Sequence, residues 1–375
     1  MTPKDYGKMT VVAEIGTAHG GSLEKARQLI DAAADAGANA VKFQWVYADE
    51  ILHPDTGFVT LPGGRTRLYD RFRELEVPPS FFAACRDYAR RTGIQFVCSP
   101  FGLRSLAELL PLKPDAVKIA SPELNHYPLL HALADYRRTD NIPVILSSGV
   151  STLADIERAL AILGTDGVTL LHCVTSYPAP ETDYNLTLIR NLARIFGIAT
   201  GVSDHSLDPV LVPSLSAAAG AVMLEKHITL SRETDGLDDP VALDGEQFAH
   251  LCHCVRQCAA MLRRYGQPAG SERIIAQMED EYGAQTVRAV LGDGIKRLAP
   301  SERDNYGRTN RSLHFLRALK KGETIAADDI GVLRTEKVLT PGISPAYLQT
   351  VVGATMTRDT PNGAGVQWED ILCRG

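Results

Sequence analysis

Short apolar runs alternate with stretches of helical spacing from residue 10 to about residue 265. The apolar runs predict eight buried strands, at Thr10–Gly16, Ala40–Gln44, Ile94–Pro100, Ala116–Ser121, Pro143–Gly149, Val168–Cys173, Ala199–His205 and Ala221–Thr229. The stretches between them predict crossover helices, of which four are clear, at Ser22–Ala36, Pro79–Arg91, Thr152–Leu163 and Gly245–Arg264. A strand followed by a crossover, repeated eight times, predicts an α/β fold of the (β/α)8 or TIM barrel type.

An open, doubly wound sheet is the alternative arrangement of the same elements. No Gly-x-Gly-x-x-Gly follows any predicted strand, which disfavours its dinucleotide-binding version. Helix-end signals support the assigned elements: Ser22 and Thr152 stand at N-cap positions, and Gly37 follows the first helix as a stop signal.

The pattern changes after the barrel, so three regions are predicted: residues 1–265 as the barrel, 266–310 as a linker with a helix, and 311–375 as a small separate domain. The last region contains short β-like pieces at Ser312–Leu316, Gly331–Arg334 and Val351–Met356. A domain of about 65 residues buries little core by itself, so we expect it to dock on another surface.

Charge and composition exclude several classes of protein. Of 375 residues, 39 are basic and 45 acidic, and no basic block occurs, which argues against nucleic-acid binding. No apolar run reaches transmembrane length and the first residues lack a signal-peptide pattern, so no membrane association is expected. Seven cysteines, mostly inside predicted elements, favour reduced thiols in a cytoplasmic protein.

Polar residues gather where the predicted strands end. In a barrel of parallel strands these ends meet at one face, and that face carries the chemistry of such enzymes. One such residue could be a structural hydrogen-bonding group, but every strand supplies at least one. The set includes Glu14, Lys42, Gln44, Ser99, Lys118, Ser121, Glu123, Ser147, Thr175, Tyr177, Ser203, His205, Glu225 and His227.

His205 and His227 end two consecutive predicted strands that are joined by one short crossover, so we expect the two rings to lie close together. Two neutral imidazoles suit a divalent cation such as Mn2+ or Mg2+, with positions left for water or substrate. The alternative is a pair of hydrogen-bonded core histidines. A second cluster, of His250, His253, Cys252, Cys254 and Cys258, lacks the spacing of a tetrahedral zinc site and is interpreted as helix packing.

Several motifs, in order and spacing, resemble the sialic acid synthase (N-acetylneuraminate synthase) family. They are Val12–Gly16, Val41–Gln44, Lys118–Ser121, Leu146–Gly149, His172–Cys173 with Tyr177–Pro178, Ser203–His205 and Glu225–His227. The tail, with Arg311–Leu313, Leu319–Glu323 and Gly342–Pro345, resembles the small antifreeze-like (SAF) domain of that family. The resemblance covers nearly the whole chain except the linker.

The resemblance implies a transferase that condenses phosphoenolpyruvate with the aldehyde of an open-chain N-acylated hexose. It implies a metal on His205 and His227, with Glu14 as the acid–base group and Glu225 or Asp238 as alternatives. The positions that match the family's phosphoenolpyruvate site are Lys42, Ser99, Lys118, Ser121, Ser147 and Ser203. Those that match its sugar-contacting positions are Gln44, Phe101, Glu123, Thr175, Tyr177, Asp238 and Arg334.

Three departures from the family pattern fall on the acceptor side. Ala18 stands where an asparagine is usual, Gly102 stands where an aspartate is usual, and extra residues follow Arg334. The phosphoenolpyruvate and metal positions are intact, so the departures predict an unusual sugar acceptor. The resemblance also implies a homodimer that exchanges its tails, with Arg334 or Lys337 reaching the partner's acceptor site.

Two other functions remain open on the sequence. A Schiff-base aldolase on the same barrel would use Lys118 or Lys42 as its nucleophile, but it leaves the histidine pair without a role. A non-catalytic carbohydrate-binding protein could keep the fold and the tail, but Glu14, His205 and His227 argue against it.

Overall fold

A computed structural model describes residues 9–61, 64–234 and 236–372 of the chain. Eight parallel strands close into a barrel in the order β1-β10-β9-β8-β7-β6-β5-β2, which confirms the predicted fold class. The strands are β1 (Thr10–Gly16), β2 (Ala40–Trp45), β3 (Phe58–Leu61), β4 (Gly64–Arg67), β5 (Gln95–Pro100), β6 (Ala116–Ile119), β7 (Val144–Ser147), β8 (Val168–Cys173), β9 (Ala199–Asp204), β10 (Met223–His227), β11 (Arg311–Phe315) and β12 (Ile330–Arg334).

The longer helices cover the outside of the barrel, and the last two helices of the chain, both short, belong to the tail. The helices are α1 (Leu23–Ala36), α2 (Ala48–Ile51), α3 (Leu68–Glu74), α4 (Pro79–Thr92), α5 (Leu103–Leu109), α6 (Tyr127–Arg137), α7 (Leu153–Leu163), α8 (Thr187–Phe196), α9 (Leu211–Ala218), α10 (Gly245–Tyr265), α11 (Gln267–Tyr282), α12 (Ala284–Leu291), α13 (Leu348–Val351) and α14 (Trp368–Ile371). Among the described residues, no helix has the length and apolar character needed to cross a membrane.

The predicted helix ends are confirmed in detail. The side chains of Ser22 and Thr152 accept hydrogen bonds from the backbone of Lys25 and Asp155, as N-caps do. Gly37 ends α1 in the left-handed conformation, with φ of 92°, which a residue without a Cβ adopts easily. The sequence signals therefore placed these boundaries correctly.

Alternation along the strands builds two layers inside the barrel. The lower layer is apolar and consists of Val12, Ala40, Val97, Ala116, Ile145 and Leu171, with Met223 against it. Because side chains of a strand alternate between faces, residues two positions further along share the same face. Those positions hold Glu14, Lys42, Ser99, Lys118, Ser147, Cys173 and Glu225. The apolar layer is thus a floor beneath a polar layer at the carboxyl ends of the strands.

The chain beyond the barrel stays close to it. Helix α11 packs on α9 and α10, and residues 292–310 then run across the carboxyl face of the barrel toward β11. The tail has its own small core, formed by Leu313, Phe315, Leu319, Ile325, Ile330, Val351, Met356 and Val366. Strands β11 and β12 lie where the sequence predicted them.

The third predicted β piece of the tail, Val351–Met356, is wrong. Helix α13 ends at Val351, and a turn through Gly353, with φ of 87°, follows it. Only an isolated bridge between Thr324 and Thr355 remains of the expected pairing. The apolar residues of this segment pack on the tail core through a turn, which periodicity could not distinguish from a short strand.

Candidate active site at the mouth of the barrel

Two lysines and two glutamates meet in the polar layer of the barrel. The Lys42 ammonium lies 2.9 Å from Glu14 Oε2 and 3.5 Å from Glu225 Oε1, and the Lys118 ammonium lies 3.0 Å from the same Glu225 oxygen. All four side chains are at most 5% exposed. Their formal charges cancel, which is how charged groups persist in a buried site.

The pKa values of the groups in this network are shifted in different directions. Burial raises the pKa of Glu225, but the lysine charges outweigh it, and the pKa falls to about 2. Burial lowers the pKa of Lys118, whereas the two carboxylates beside Lys42 overcome burial and raise its pKa. Lys42 and Glu225 are therefore firmly charged at neutral pH, and Lys118 loses its proton more easily than Lys42 does.

The predicted serines surround the same network. Ser203 donates to Glu225 over 2.9 Å, and the Lys42 ammonium is 3.5 Å from Ser99 Oγ. Ser121 Oγ accepts from the backbone N–H of Gly149 over 3.0 Å. The buried Ser147 hydroxyl has no hydrogen-bond partner among the described residues, so an incoming oxygen could satisfy it.

His205 and His227 lie next to each other, as predicted, with ring centroids 5.6 Å apart. His205 Nδ1 is 2.9 Å from the Val174 carbonyl oxygen, so it carries the proton and leaves Nε2 as the free lone pair. Burial lowers the pKa of His227 to about 4, which keeps that ring neutral. The Tyr177 ring stacks on His205 at 4.2 Å and covers it.

The Cys173 thiol complicates the state of His205. Burial alone would lower the pKa of that histidine, but contact with Cys173 Sγ, 3.9 Å from Nδ1, outweighs it and raises the pKa. The described residues contain no group of three or more His, Cys, Asp or Glu side chains arranged to hold a metal ion. A cation here would therefore rest on the two imidazoles and on ligands from outside the chain.

A buried ion pair on the outer side of the strands fixes the histidine pair. Asp204 and Lys226 are register partners on β9 and β10, one residue before each histidine. The Lys226 ammonium donates to Asp204 over 2.6 Å and to the carbonyl oxygen of Ser206 over 2.7 Å. Both residues lie inside predicted motifs, but their pairing was not predicted, because alternation along the strand turns them away from the mouth.

A cavity of about 320 Å3 opens beside the histidines. Six of the seven predicted acceptor residues line it: Gln44, Phe101, Thr175, Tyr177, Asp238 and Arg334. Lys337, the predicted alternative to Arg334, lines it as well, and the sequence did not predict the further lining residues Thr17, Phe72, Leu237, Asn305 and Thr309. Asn305 and Thr309 come from the polar segment interpreted as linker, and its polarity is the signal that could have marked them.

The seventh residue, Glu123, lies outside the lining of that cavity. Its side chain is fully buried, with Oε2 2.6 Å from Arg311 Nε and Oε1 2.8 Å from Arg334 Nη2. The two guanidinium groups outweigh burial and lower the pKa of Glu123. All three residues belong to one chain, so the tail is seated on the mouth of its own barrel. Exchange of tails between two subunits stays a prediction.

The departures at Gly102 and Ala18 have simple structural explanations. A Cβ at Gly102 would lie 2.3 Å from the carboxyl carbon of Glu50. The Glu50 carboxylate accepts from the backbone of Arg104 and Ser105, so it caps α5 from a distance in place of a residue at the N-cap itself. Ala18 packs in the main apolar core, and its neighbour Thr17 lines the cavity instead.

Residues 29–266 match the NeuB family, and residues 310–372 match the SAF domain. The chain belongs to the NeuB family. The resemblance to sialic acid synthases is thereby confirmed, and the chain is an enzyme of that type. The NeuB match spans most of the barrel, and the SAF match begins where the chain enters β11.

Relatives align along almost the whole chain. The spore coat polysaccharide biosynthesis protein SpsE of Bacillus subtilis is 31% identical, over 97% of this chain and 94% of that protein. The N,N'-diacetyllegionaminic acid synthase of Legionella pneumophila is 29% identical, over 96% of this chain and 94% of that protein.

Solved structures agree with this placement of the chain in the NeuB family. The crystal structure of SpsE superimposes with a TM-score of 0.78 at 29% identity, over 98% of this chain and 96% of that chain. The N-acetylneuraminic acid synthetase of Leptospira borgpetersenii, crystallised with citrate, superimposes with a TM-score of 0.60 at 30% identity, over 80% of this chain and 90% of that chain.

Proposed function

We propose that this enzyme condenses phosphoenolpyruvate with the aldehyde of an open-chain N-acylated hexose. The product is a nine-carbon 2-keto sugar acid, sialic acid or an analogue such as legionaminic or pseudaminic acid, and phosphate is released. The observation that carries the proposal is a charged lysine–glutamate layer next to the His205–His227 pair, beside a polar cavity of about 320 Å3.

The histidine pair fits a divalent cation, Mn2+ or Mg2+. His205 keeps Nε2 free because Nδ1 is committed to a backbone carbonyl, and the lowered pKa of His227 keeps the second ring neutral. A bound cation would supply charge stabilisation for the aldehyde oxygen as it becomes negative. The Tyr177 ring stacks on His205, and the apolar floor of the barrel closes the site below the charged layer.

Phosphoenolpyruvate enters a site whose charges already balance. Its carboxylate and phosphate compete with Glu14 and Glu225 for the ammonium groups of Lys42 and Lys118. Binding of the anion therefore draws the lysines away from the glutamates. The unpartnered Ser147 hydroxyl offers a further donor, and Ser99, Ser121 and Ser203 lie around the same space.

The reaction needs a group that moves protons. C3 of phosphoenolpyruvate forms the new bond to the aldehyde carbon, water adds at C2, and the resulting centre releases phosphate to leave the keto group. Glu14 is the proposed acid–base residue because it faces this space and is held by Gln44 at 2.8 Å. Asp238 is the alternative, since burial raises its pKa and suits it to donate a proton.

The acceptor end of the site is the variable part. Relatives are named as synthases of legionaminic and pseudaminic acid, and one neighbour as a sialic acid synthetase, so an N-acylated sugar is the common class. We propose that Arg334, Lys337 and Asn305 select among such acceptors, because they line the cavity from the tail and the segment before it. The described cysteines are all free, in keeping with a cytoplasmic enzyme.

We also propose a homodimer, in which the tail closes either the barrel of its own chain, where the ion pairs of Glu123 with Arg311 and Arg334 seat it in the structure, or the partner's barrel, as the family resemblance implies. Mixed subunits test it: a chain truncated before Arg311 is combined with a full-length His205→Ala chain. Closure within one chain gives no recovery of activity in proven heterodimers. Recovery would show instead that a homodimer exchanges its tails, as the family resemblance suggests.

Phosphate release from phosphoenolpyruvate, measured with a panel of N-acylated hexoses and Mn2+, is the test of the proposed function. We expect release with at least one acceptor and its loss with chelator. A Schiff-base aldolase is the second candidate, because the pKa of Lys118 is lowered and its amine could attack a carbonyl. Borohydride separates the two: a trapped lysine adduct together with activity that resists chelator would overturn the proposal.

A further inference from the structure

The segment between barrel and tail makes side-chain contacts with the mouth of the barrel at several points. Glu302 is 1% exposed, and its Oε2 accepts from the backbone N–H of Val150 over 2.9 Å and of Thr175 over 2.8 Å. Val150 follows β7 and Thr175 follows β8, so one carboxylate joins the loops of two neighbouring strands. The other oxygen of Glu302 accepts from the N–H of Ala299 over 3.2 Å, so both carboxylate oxygens are hydrogen-bonded.

The carbonyl groups of the same two residues are bound from the same segment. Asn310 Nδ2 donates to the Val150 oxygen over 3.0 Å, and Asn305 Nδ2 donates to the Thr175 oxygen over 3.2 Å. The backbone N–H and C=O groups of Val150 and Thr175 are thus all hydrogen-bonded to side chains that lie 127 to 160 residues further along the chain. The segment replaces the backbone pairing that a neighbouring strand would supply.

Val150 has a reason to need this support. Its φ is 41°, in the left-handed region that a β-branched residue rarely adopts. Such a conformation persists only when surrounding contacts hold it, and positions of this kind cluster at functional sites. Here the contacts come from Glu302 and Asn310, directly after the Ser147–Gly149 part of the polar layer.

The two loops also touch each other inside the site. A Cβ at Gly149 would lie 2.1 Å from Thr175 Oγ1, so the backbone of one loop packs against the Thr175 side chain of the other. Thr175 lines the acceptor cavity, and its buried hydroxyl has no hydrogen-bond partner among the described residues. A displacement of the Glu302 carboxylate would therefore move an acceptor-lining group directly.

We infer that Glu302 is a positioning residue, which sets the acceptor subsite by holding the Val150 and Thr175 loops. The kinetic test of this inference rests on the proposed condensation, whereas its structural test does not. Phosphoenolpyruvate binding is spared, because Lys42, Lys118 and Ser147 sit on strands held by their own ladder hydrogen bonds. Residues 292–310 then form one wall of the active site, to which Asn305 and Thr309 contribute.

Kinetics with Glu302→Ala and Glu302→Gln are the first test. We expect the acceptor KM to rise about tenfold in the alanine variant and less in the glutamine variant, which keeps one acceptor oxygen, while the KM for phosphoenolpyruvate stays within twofold. Asp304→Asn removes a negative charge from an exposed site two residues away and should change neither constant. Equal increases in both KM values, or no increase in either, would refute the positioning role.

Hydrogen–deuterium exchange keeps this inference separate from the proposed function and covers a variant that folds poorly. In Glu302→Gln, amides at residues 148–151 and 174–177 should exchange faster than in the parent, while those of β1 and β2 are unchanged. Faster exchange without any phosphate release from the parent protein would leave the positioning role standing and refute the condensation. Unchanged exchange in an active enzyme would refute the positioning role alone.

Discussion

The barrel interior and the seam between barrel and tail hold charge in different ways. In the interior, Lys42, Lys118, Glu14 and Glu225 balance one another within one layer at the strand ends. At the seam, a single carboxylate, Glu123, sits between two guanidinium groups contributed by the tail. In the proposed function the interior network opens to admit an anionic substrate, whereas the Glu123 carboxylate at the seam has both oxygens bound by arginines and serves to dock the tail.

The difference shows in how the arginine at the seam is bonded. Arg311 is 2% exposed and also donates to the carbonyl oxygens of Glu50 and Phe101, each over 2.6 Å. Every hydrogen bond of this kind fixes the position of one backbone segment. Lys118 by contrast forms an ion pair with one carboxylate among the described residues, that of Glu225. An arginine with several hydrogen-bond partners stabilises the structure, whereas a lysine with one carboxylate partner can exchange that partner for a ligand.

Loss of the histidine pair should have the largest effect. His205→Ala removes one of the two imidazoles and is expected to lower turnover about a thousandfold or more, since the proposed cation would contribute several kcal/mol to the transition state. The fold should persist, because His205 contributes nothing to the apolar core. His250→Ala, an exposed histidine on α10, is the matched control. Turnover in His205→Ala equal to that of the control would contradict the assignment.

Removal of a lysine from the interior should weaken substrate binding next most strongly. Lys118→Met takes a buried charge from the proposed phosphoenolpyruvate site, so binding should weaken by about 2–5 kcal/mol. Titration calorimetry with phosphoenolpyruvate alone measures this in the folded protein. Lys321→Met, at an exposed position of the tail, should bind as the parent does. Unchanged affinity in Lys118→Met would mean that the lysine only balances Glu225.

Much of the interior could be predicted from the sequence, because parallel topology brings strand ends together whatever the loops do. Glu14, Lys42, Lys118 and His227 needed only correct strands and the alternation of faces. The seam could not be predicted in this way. Glu123 and Arg311 are 188 residues apart, and their contact depends on how a separate unit docks. Glu302 was hidden for the same reason, since the polarity of its segment is equally typical of a solvated linker.

The seam should show its importance in stability rather than in substrate affinity. Glu123→Gln leaves Arg311 buried without a full countercharge, and breaking a buried pair in this way costs about 3–5 kcal/mol. Chemical denaturation and proteolysis of the tail measure the loss. Glu323→Gln, in an exposed pair with Arg317, should cost less than about 1 kcal/mol. Equal losses in the two variants would show that the seam is not a docking point.

The smallest expected effect is on how stability depends on pH, and it tests the seam between barrel and tail separately from the active site. Burial, together with the Arg311 charge, lowers the pKa of His126 to about 3, whereas an unfolded histidine titrates near 6.5. Between these values the unfolded chain binds one more proton than the folded one, so stability is full above pH 6.5 and falls as the pH drops. The expected slope from this one residue is about 1 kcal/mol per pH unit.

A substitution that keeps the helix cap separates His126 from the other buried histidines. His126 Nδ1 accepts from the N–H of Leu129 over 3.2 Å, and asparagine can accept in its place, so His126→Asn should stay folded. Thermal unfolding of the parent and the variant between pH 7 and pH 5 should show a shallower pH dependence in the variant. His131→Asn, on the exposed face of the same helix, should keep the parent's slope. Identical slopes in all three proteins would mean that His126 is already solvated, and that the seam is looser than its hydrogen bonds indicate.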